Sequence, residues 1–345
     1  MTNYIGMDAH PSICVFSVVD DSGAEIGKFQ SPTNGAALVE YIRSIKGIKH
    51  LVFEECELSA WLFEILDREV DKLIVCNPAR NVQYKRAKTD KLDAKNLALL
   101  LRGGFLTPIY HDGSKTEQLR ALMSGYQDVV DTGVSLKNRY KSLFRKSGLP
   151  ARGDGIYADE SLLKGLPRPD QRFVGHGLYR LIEATEAERE KYCAAIKAIK
   201  RRFPELKLLH GIPGIGDIQA AKILSQVITA ERFKDKHKFW SYCGLVRYKQ
   251  ESAGKVRGNK RGWGNRVLKC VFKMAAKSAL SGKNEFRELY DALRAKGTND
   301  KAARNAVSRK IAAIALSMLK NKTRYDEELV TGRSEERAPE PSARK

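Results

Sequence analysis

No stretch of this 345-residue chain is apolar for long enough to cross a membrane. The longest runs, such as Leu97–Leu101 and Ile311–Leu316, fall far short of the roughly 20 residues a bilayer requires. Cysteine is sparse and scattered. The six thiols (Cys14, Cys56, Cys76, Cys193, Cys243 and Cys270) include no C-x-x-C pair. That spacing argues against a zinc site or a disulfide framework and fits a reducing cytoplasm. No G-x-x-x-x-G-K-[ST] loop is present, which excludes the common route to nucleotide-driven chemistry. The N-terminus reads as a strand and has no signal-peptide pattern. Acidic residues are the scarcer charge: 41 against 62 lysines and arginines, a net +21. An excess of that size points to a polyanionic partner, with nucleic acid first. A membrane surface comes second, because no basic amphipathic helix with a Trp or Phe face supports it.

The length predicts two or three domains. In the first hundred residues the pattern predicts strands at Tyr4–Asp8, Ser12–Asp20 and Ala24–Gln30, a three-stranded meander. A helix at Ala36–Ile45, a strand at Leu51–Glu54, a helix at Ser59–Val70 and a strand at Lys72–Cys76 follow. After a basic connector, a further helix opens at Asp90. The order β-β-β-α-β-α-β-α predicts a mixed sheet with right-handed crossovers. Residues 116–146 read as helix, 148–170 as a Gly-, Pro- and Asp-rich linker, and 171–202 as helix again. Leu178, Ile182, Tyr192, Ile196 and Ile199 lie near heptad spacing, interrupted at Thr185 and Arg189. A coiled-coil arm and an ordinary amphipathic helix are both open there. Residues 204–320 read as mostly helical, and the polar tail TGRSEERAPEPSARK as disordered.

Asp90 and Asp93 stand at the mouth of the apolar helix in KTDKLDAKNLALLL. Alone, they read as a helix cap in a positive dipole end. Their context adds a second role. Strand alternation puts Tyr4, Gly6 and Asp8 on one face, and a charge in a first strand needs a reason. Glu54 ends the fourth strand, which in this order lies beside the first. Glu55 is its rival, since alternation turns only one of the two toward the site. Asp8, Glu54, Asp90 and Asp93 together would repel unless cations separate them, and hard oxygen ligands suit Mg²⁺ or Mn²⁺. A pair of such ions roughly 3.5–4 Å apart supports in-line phosphoryl transfer. This is the arrangement of the ribonuclease H-like fold, and the four acids resemble the DEDD signature of RuvC-like nuclease domains.

Basic residues cluster around these acids and again near the C-terminus. Arg80, Lys85, Arg86 and Lys88, with Lys91 and Lys95, precede or enter the Asp90 helix and would guide phosphates to it. In GIPGIGDIQAAKIL, Gly214 and Gly216 suggest a helix-hairpin-helix turn whose backbone N–H groups meet a phosphate, or a tight turn between packed helices. Lys255, Arg257, Lys260, Arg261, Arg266 and Lys269 occupy a glycine-rich stretch without an acid, which reads as a nucleic-acid-binding loop around Trp263. Ser252 opens it, and a serine hydroxyl needs activation before it attacks phosphorus.

Taken together, YIGMD, LVFEE, KTDKLDA, GIPGIG, FWSYCGLV, the ES–G–VRG run at 251–258 and RGWGNRVLK resemble the DEDD insertion-sequence transposases related to the Piv DNA invertase, over about residues 4–320. The chain departs from that pattern at Ala253, where glycine is frequent, and at Trp263, where a polar residue is common. Neither change removes a catalytic group. The resemblance implies an α/β plus α architecture. A RuvC-like DEDD domain (1–147) would be followed by a linker and helical or coiled-coil arm (148–203), a mostly helical transposase domain (204–325) and a tail (326–345). It implies Mg²⁺ (or Mn²⁺) at Asp8, Glu54, Asp90 and Asp93, with Ser252 as nucleophile. It further implies donor and target DNA, a non-coding bridge RNA that pairs with both, a homo-oligomer (dimer or tetramer), and work at the nucleoid in a bacterial or archaeal cytoplasm. Two other readings use the same residues differently. One is a junction-resolvase-type nuclease that hydrolyses with water and needs no Ser252. The other is a nucleic-acid-binding protein with a decayed site, which the complete acidic set argues against.

Overall fold

A computed structural model describes residues 1–78, 90–111, 116–252, 255–261 and 264–331. They form two compact units, Met1–Glu117 and Gln118–Lys345. Among the described residues no helix is long and apolar enough to cross a membrane.

The first unit is the expected mixed sheet with helices. Its strands are β1 (Thr2–Ala9), β2 (Ile13–Val19), β3 (Glu25–Pro32), β4 (Ile48–Glu54), β5 (Lys72–Cys76) and β6 (Pro108–Ile109), in the order β3-β2-β1-β4-β5-β6. The meander is antiparallel, β1, β4 and β5 run parallel, and β6 is antiparallel to β5. The sequence reading lacked β6. Two residues carry no period of their own, and only the exposed edge of β5 makes them a strand.

Alternation gives the sheet two different faces. One buries Ile5, Met7, Leu51, Phe53 and Val75 under α1 (Gly35–Ser44) and α2 (Ser59–Leu66), through Leu38, Ile42, Leu62 and Leu66. Helix α1 starts where Asn34 accepts hydrogen bonds from the Ala36 and Ala37 amides. Helix α2 is shorter than the expected 59–70, because Asp67–Glu69 tightens into a 3₁₀ turn before β5. The other face carries Val52 and Cys76 against Leu97 and Leu101 of α3 (Asp90–Gly103).

Gly6 sets how closely α3 approaches. A Cβ at this position would lie 2.0 Å from the Ala94 carbonyl oxygen and 2.6 Å from the Ala98 nitrogen. Only glycine lets the helix backbone rest on β1. The polarity of α3 follows from its other contacts. Lys95 pairs with Glu25 at 3.2 Å, and Arg102 Nε donates to the Asp21 carbonyl at 2.9 Å. Asp21 in turn accepts from the Thr2 amide at the start of β1. Helix α3 therefore runs antiparallel to β1, with its N-terminus over the carboxyl end of the strand.

The second unit is mostly helical, as expected. Helices α4 (Thr116–Lys146) and α5 (Pro169–Ile199), each of 31 residues and about 46 Å long, form an antiparallel arm. Gly125 meets Tyr192, Gly133 meets Thr185, and Lys137 binds Glu186 at 2.5 Å. Thr185 and Arg189, which interrupt the heptads in sequence, have their own work. Thr185 faces a glycine and Arg189 binds Glu186. Tyr140, Phe144, Leu163, Leu166, Tyr179 and Ile182 form the core near the arm's turn. The expected linker contributes to it through two 3₁₀ turns, Gly155–Tyr157 and Glu160–Gly165.

Beyond the arm come α6 (Pro204–His210), α7 (Asp217–Val227), α8 (Lys236–Tyr242), β7 (Arg247–Ser252), β8 (Lys255–Arg261), α9 (Arg266–Ala279), α10 (Glu285–Ala295), α11 (Asp300–Asn321) and α12 (Glu328–Thr331). Helix α11 is the centre. Val307, Ile311, Ala312, Ala315 and Met318 are wholly buried around its circumference, the pattern of a helix enclosed by others. Asn265, Asn284 and Asn299 cap α9, α10 and α11.

One expectation is corrected here. The basic stretch read as a loop is an antiparallel hairpin of β7 and β8, with Ser252 opposite Lys255. Glycines suggested the loop. Gly258 instead pairs with Gln250 beside a register shift between Gln250 and Glu251, where a bulge suits glycine. Arg266 and Lys269 are also outside any loop, since both lie in the first turns of α9.

Candidate active site

The acidic site is a consequence of register. Strands β1 and β4 pair in parallel through Gly6↔Val52 and Met7↔Phe53, so Asp8 and Glu54 come next on adjacent strands. Neighbouring strands lie about 4.8 Å apart. Both acids continue the face of Gly6 and Val52, the face that α3 covers. Glu55 is turned to other work: its amide donates to the Cys76 carbonyl, and its carboxylate is 2.7 Å from His111 Nε2. His111 is itself buried and stacked on Phe63. The geometry thus separates the two rival glutamates.

Asp93 sits in the first turn of α3, one residue before the Ala94 that rests on Gly6. Asp90 is the first residue of that helix, and its side chain lies outside the described set. The helix polarity brings this acidic turn to the carboxyl ends of β1 and β4, where open α/β sheets bind their ligands. Among the described residues, no three His, Cys, Asp or Glu side chains close into a metal cage. The sequence reading missed His10, whose Nε2 lies 3.3 Å from Asp8 Oδ2. An imidazole two residues after a strand aspartate has no periodic signal, and only the β1–β2 turn brings it back.

The expected basic residues fall into three groups. Arg80, Lys85, Arg86 and Lys88 lie outside the described residues, as do Gly254, Gly262, Trp263 and the tail from 332. Lys95 belongs to the sheet through its pair with Glu25 rather than to a connector. Lys255, Arg257, Lys260 and Arg261 line up along β8, opposite a strand that ends at Ser252.

Gly214 and Gly216 have structural tasks. Gly214 has φ +87°, and a Cβ there would lie 2.2 Å from the Ala275 carbonyl of α9. Gly216 precedes α7, and its amide donates to Gln219 Oε1 at 3.2 Å. Asp217 already supplies a carboxylate to that helix end, in ion pairs with Lys200 and His210. The turn is thus packed against α9 and tied to the first turn of α7.

The root of the hairpin is fixed by a second close approach. Gly244 has φ +62°, and a Cβ on Gly264 would lie 2.4 Å from the Gly244 nitrogen. Asn265 then ties the exit down. Its amide donates to the Tyr242 carbonyl at 2.7 Å, its Oδ1 accepts from the Leu268 amide, and its Nδ2 donates to Gln226 Oε1. The strand that carries Ser252 leaves a crossing of two glycines.

Known families match both units. Residues 5–147 fit an IS110 DEDD model described as Transposase, and residues 206–291 fit Transposase IS116/IS110/IS902 family. The first model runs past the end of the first compact unit into α4. A relative from Streptomyces coelicolor, the insertion element IS110 uncharacterized 43.6 kDa protein, is 28% identical over 153 residues. That match covers 44% of this chain and 38% of the relative. A sheet that sets two acids side by side under an acidic helix start, followed by the second matched segment in the expected order, makes this chain similar over both segments to the IS110 transposases.

Proposed function

We propose that this chain is an insertion-sequence transposase that cuts and rejoins DNA through a phosphoserine intermediate at Ser252. The observation that carries this reading is the register of β1 and β4, which sets Asp8 beside Glu54 under the first turn of α3. Adjacent carboxylates in a strongly basic chain call for cations and phosphates. The donor set is all oxygen, which fits Mg²⁺ or Mn²⁺. Asp8, Glu54, Asp90 and Asp93 would hold the metal, which when bound stabilises charge on the phosphate and favours deprotonated oxygen nucleophiles.

The chain's own residues then divide the work. The acids would hold the cations rather than the phosphate itself, and the basic strand β8 holds the phosphate's flanking backbone. Ser252 Oγ passes its proton to solvent water and attacks phosphorus. The P–O bond to one sugar oxygen breaks, and that oxygen takes up a proton as the free strand end. Phosphodiester energy is kept in the serine ester. A strand-end hydroxyl later attacks the same phosphorus, restores the phosphodiester and returns the serine hydroxyl. No nucleotide hydrolysis is needed, in keeping with the missing P-loop.

We also infer that target choice rests with a bridge RNA pairing to donor and target DNA, and that the protein works as a homo-oligomer at the nucleoid. The functional division at residue 147 belongs to the same reading. The test expresses the gene in its natural flanking DNA and looks for DNA bound covalently to protein after denaturing lysis. An adduct in the wild type, lost in Ser252→Ala and Asp90→Ala, is expected. Cut DNA without an adduct, undiminished in Ser252→Ala, would mean a water-using nuclease.

A further inference from the structure

At the root of the hairpin lies a cavity of about 250 Å³ lined by five cationic residues together with Gly244, Leu245, Val246 and Asn305. Arg247, the first residue of β7, forms one side. Lys269 and Lys273, one turn apart on α9, form a second. Lys301, Asn305 and Arg309, on successive turns of α11, form the third. Among the described residues no carboxylate lines the cavity, and Arg247, Lys273, Lys301 and Arg309 have no acidic partner there. The neighbouring acid is already engaged: Asp300 accepts from Arg304 at 2.7 Å and from Tyr290 at 2.6 Å. Arg309 is held in advance. Trp240 Nε1 donates to its carbonyl at 2.8 Å, and its guanidinium lies 5.8 Å from the Trp240 ring centre.

Four cations (Arg247, Lys273, Lys301 and Arg309) gathered around one space with no carboxylate among the described residues that line it repel one another in the free protein. A folded chain keeps such a group when an anion relieves it. The cavity is smaller than the roughly 300–1,000 Å³ of pockets that enclose small molecules, and its lining is more polar than apolar. It suits a charged backbone passing across rather than a ligand shut inside. We propose that this cavity is a phosphodiester-binding site, formed by α9, α11 and the first residue of β7, that holds a nucleic-acid strand beside the serine hairpin. The inference rests on the reading that this chain handles nucleic acid. Five residue steps along β7 separate Arg247 from Ser252, about 16 Å. A phosphate held at the root thus lies about five base steps from one at the serine, at about 3.4 Å per step along a strand. The site would anchor the strand on one side of the cut while Ser252 holds the other.

The experiment compares full-length Lys273→Gln/Lys301→Gln with the charge-matched Lys283→Gln/Lys296→Gln, whose lysines lie outside the cavity. Binding to a labelled duplex DNA and to a labelled single-stranded RNA is titrated over a range of salt. The cavity pair should weaken binding about tenfold, and should lower the slope of log K against log salt by about 0.7–0.9 per lost contact. The control pair should stay within about twofold with its slope unchanged. Both cavity lysines are exposed, so the thermal midpoint should match the wild type or rise as repulsion is relieved. Lys301→Gln alone, with half the change in slope, carries the test if the double variant does not fold. Loss with RNA alone or DNA alone identifies the strand held. Equal losses in cavity and control pairs, no loss in the cavity pair, or a wild type that binds neither nucleic acid would overturn the site. A wild type that binds with a cavity-dependent slope but never forms the serine adduct would overturn the transposase reading and leave the site standing.

Discussion

The acids and the serine are held in opposite ways. Asp8 and Glu54 are embedded in a six-stranded sheet packed on both faces, where a one-residue slip would turn the core of β1 or β4 outward. Ser252 is the last residue of the first strand of a two-stranded ribbon, and its position depends on a few contacts at the root. Cross-strand register, buried apolar faces and Gly6 all fix the same acidic geometry. The hairpin depends on the Gly244–Gly264 crossing and the bonds of Asn265. On the proposed reading, one half of the chemistry would be preorganised by a core, and the other presented on a lever.

That contrast can be broken at either end. The largest effect is expected for Ser252→Ala, which should lower strand joining by at least about a thousandfold, as removal of a nucleophile does. Its thermal midpoint should stay unchanged, because the substitution removes one hydroxyl and leaves the backbone pairing of β7 and β8 in place. A variant that still joins strands would remove the lever's role altogether.

Gly6→Ala attacks the other half. A methyl group 2.0 Å from the Ala94 carbonyl must push α3 off the sheet, at a cost of about 3 kcal/mol in denaturant unfolding. Activity should fall with stability, because the acidic turn moves with the helix. Unchanged stability would show that α3 is not seated as described.

Gly264→Ala tests the root. Its Cβ would meet the Gly244 nitrogen at 2.4 Å, with an expected loss of about 1–3 kcal/mol. Strand joining should suffer more than this loss of stability explains, while the acid-bearing unit unfolds as before. Equal losses would mean that the crossing serves only the core.

Asn265→Ala should be milder. Removing the α9 cap costs about 1 kcal/mol, read as a small drop in the denaturant midpoint. The last comparison is nearly silent in energy. Cys243 is fully buried, and burial pushes its thiol well above the ordinary range, whereas Cys270 is exposed. A thiol reagent should label Cys270 in the native state and reach Cys243 only after unfolding. Early labelling of Cys243 would show that the hairpin root opens.

The sequence by itself determined the order and type of the principal elements of the first unit, because a period of 2 or 3.6 over five or more apolar positions leaves little choice. It also narrowed the strand acids to Asp8 with Glu54 or Glu55, and the observed register then put Asp8 and Glu54 on one face. The 31 residues of α4 were legible for the same reason. Tertiary structure alone decided the rest. Strand β6 exists because β5 offers an edge, and the hairpin exists because two polar, basic segments pair with each other. No single-segment period reports such a partner. Gly214 and Gly264 looked like loop residues, yet each marks a backbone lying against another backbone, a contact whose other half is distant in the chain. The cationic cavity was written as K-x-x-x-K on one helix and K-x-x-x-N-x-x-x-R on another. Each alone is an ordinary solvated face, and only the packing of α9 against α11 turns both toward the same space.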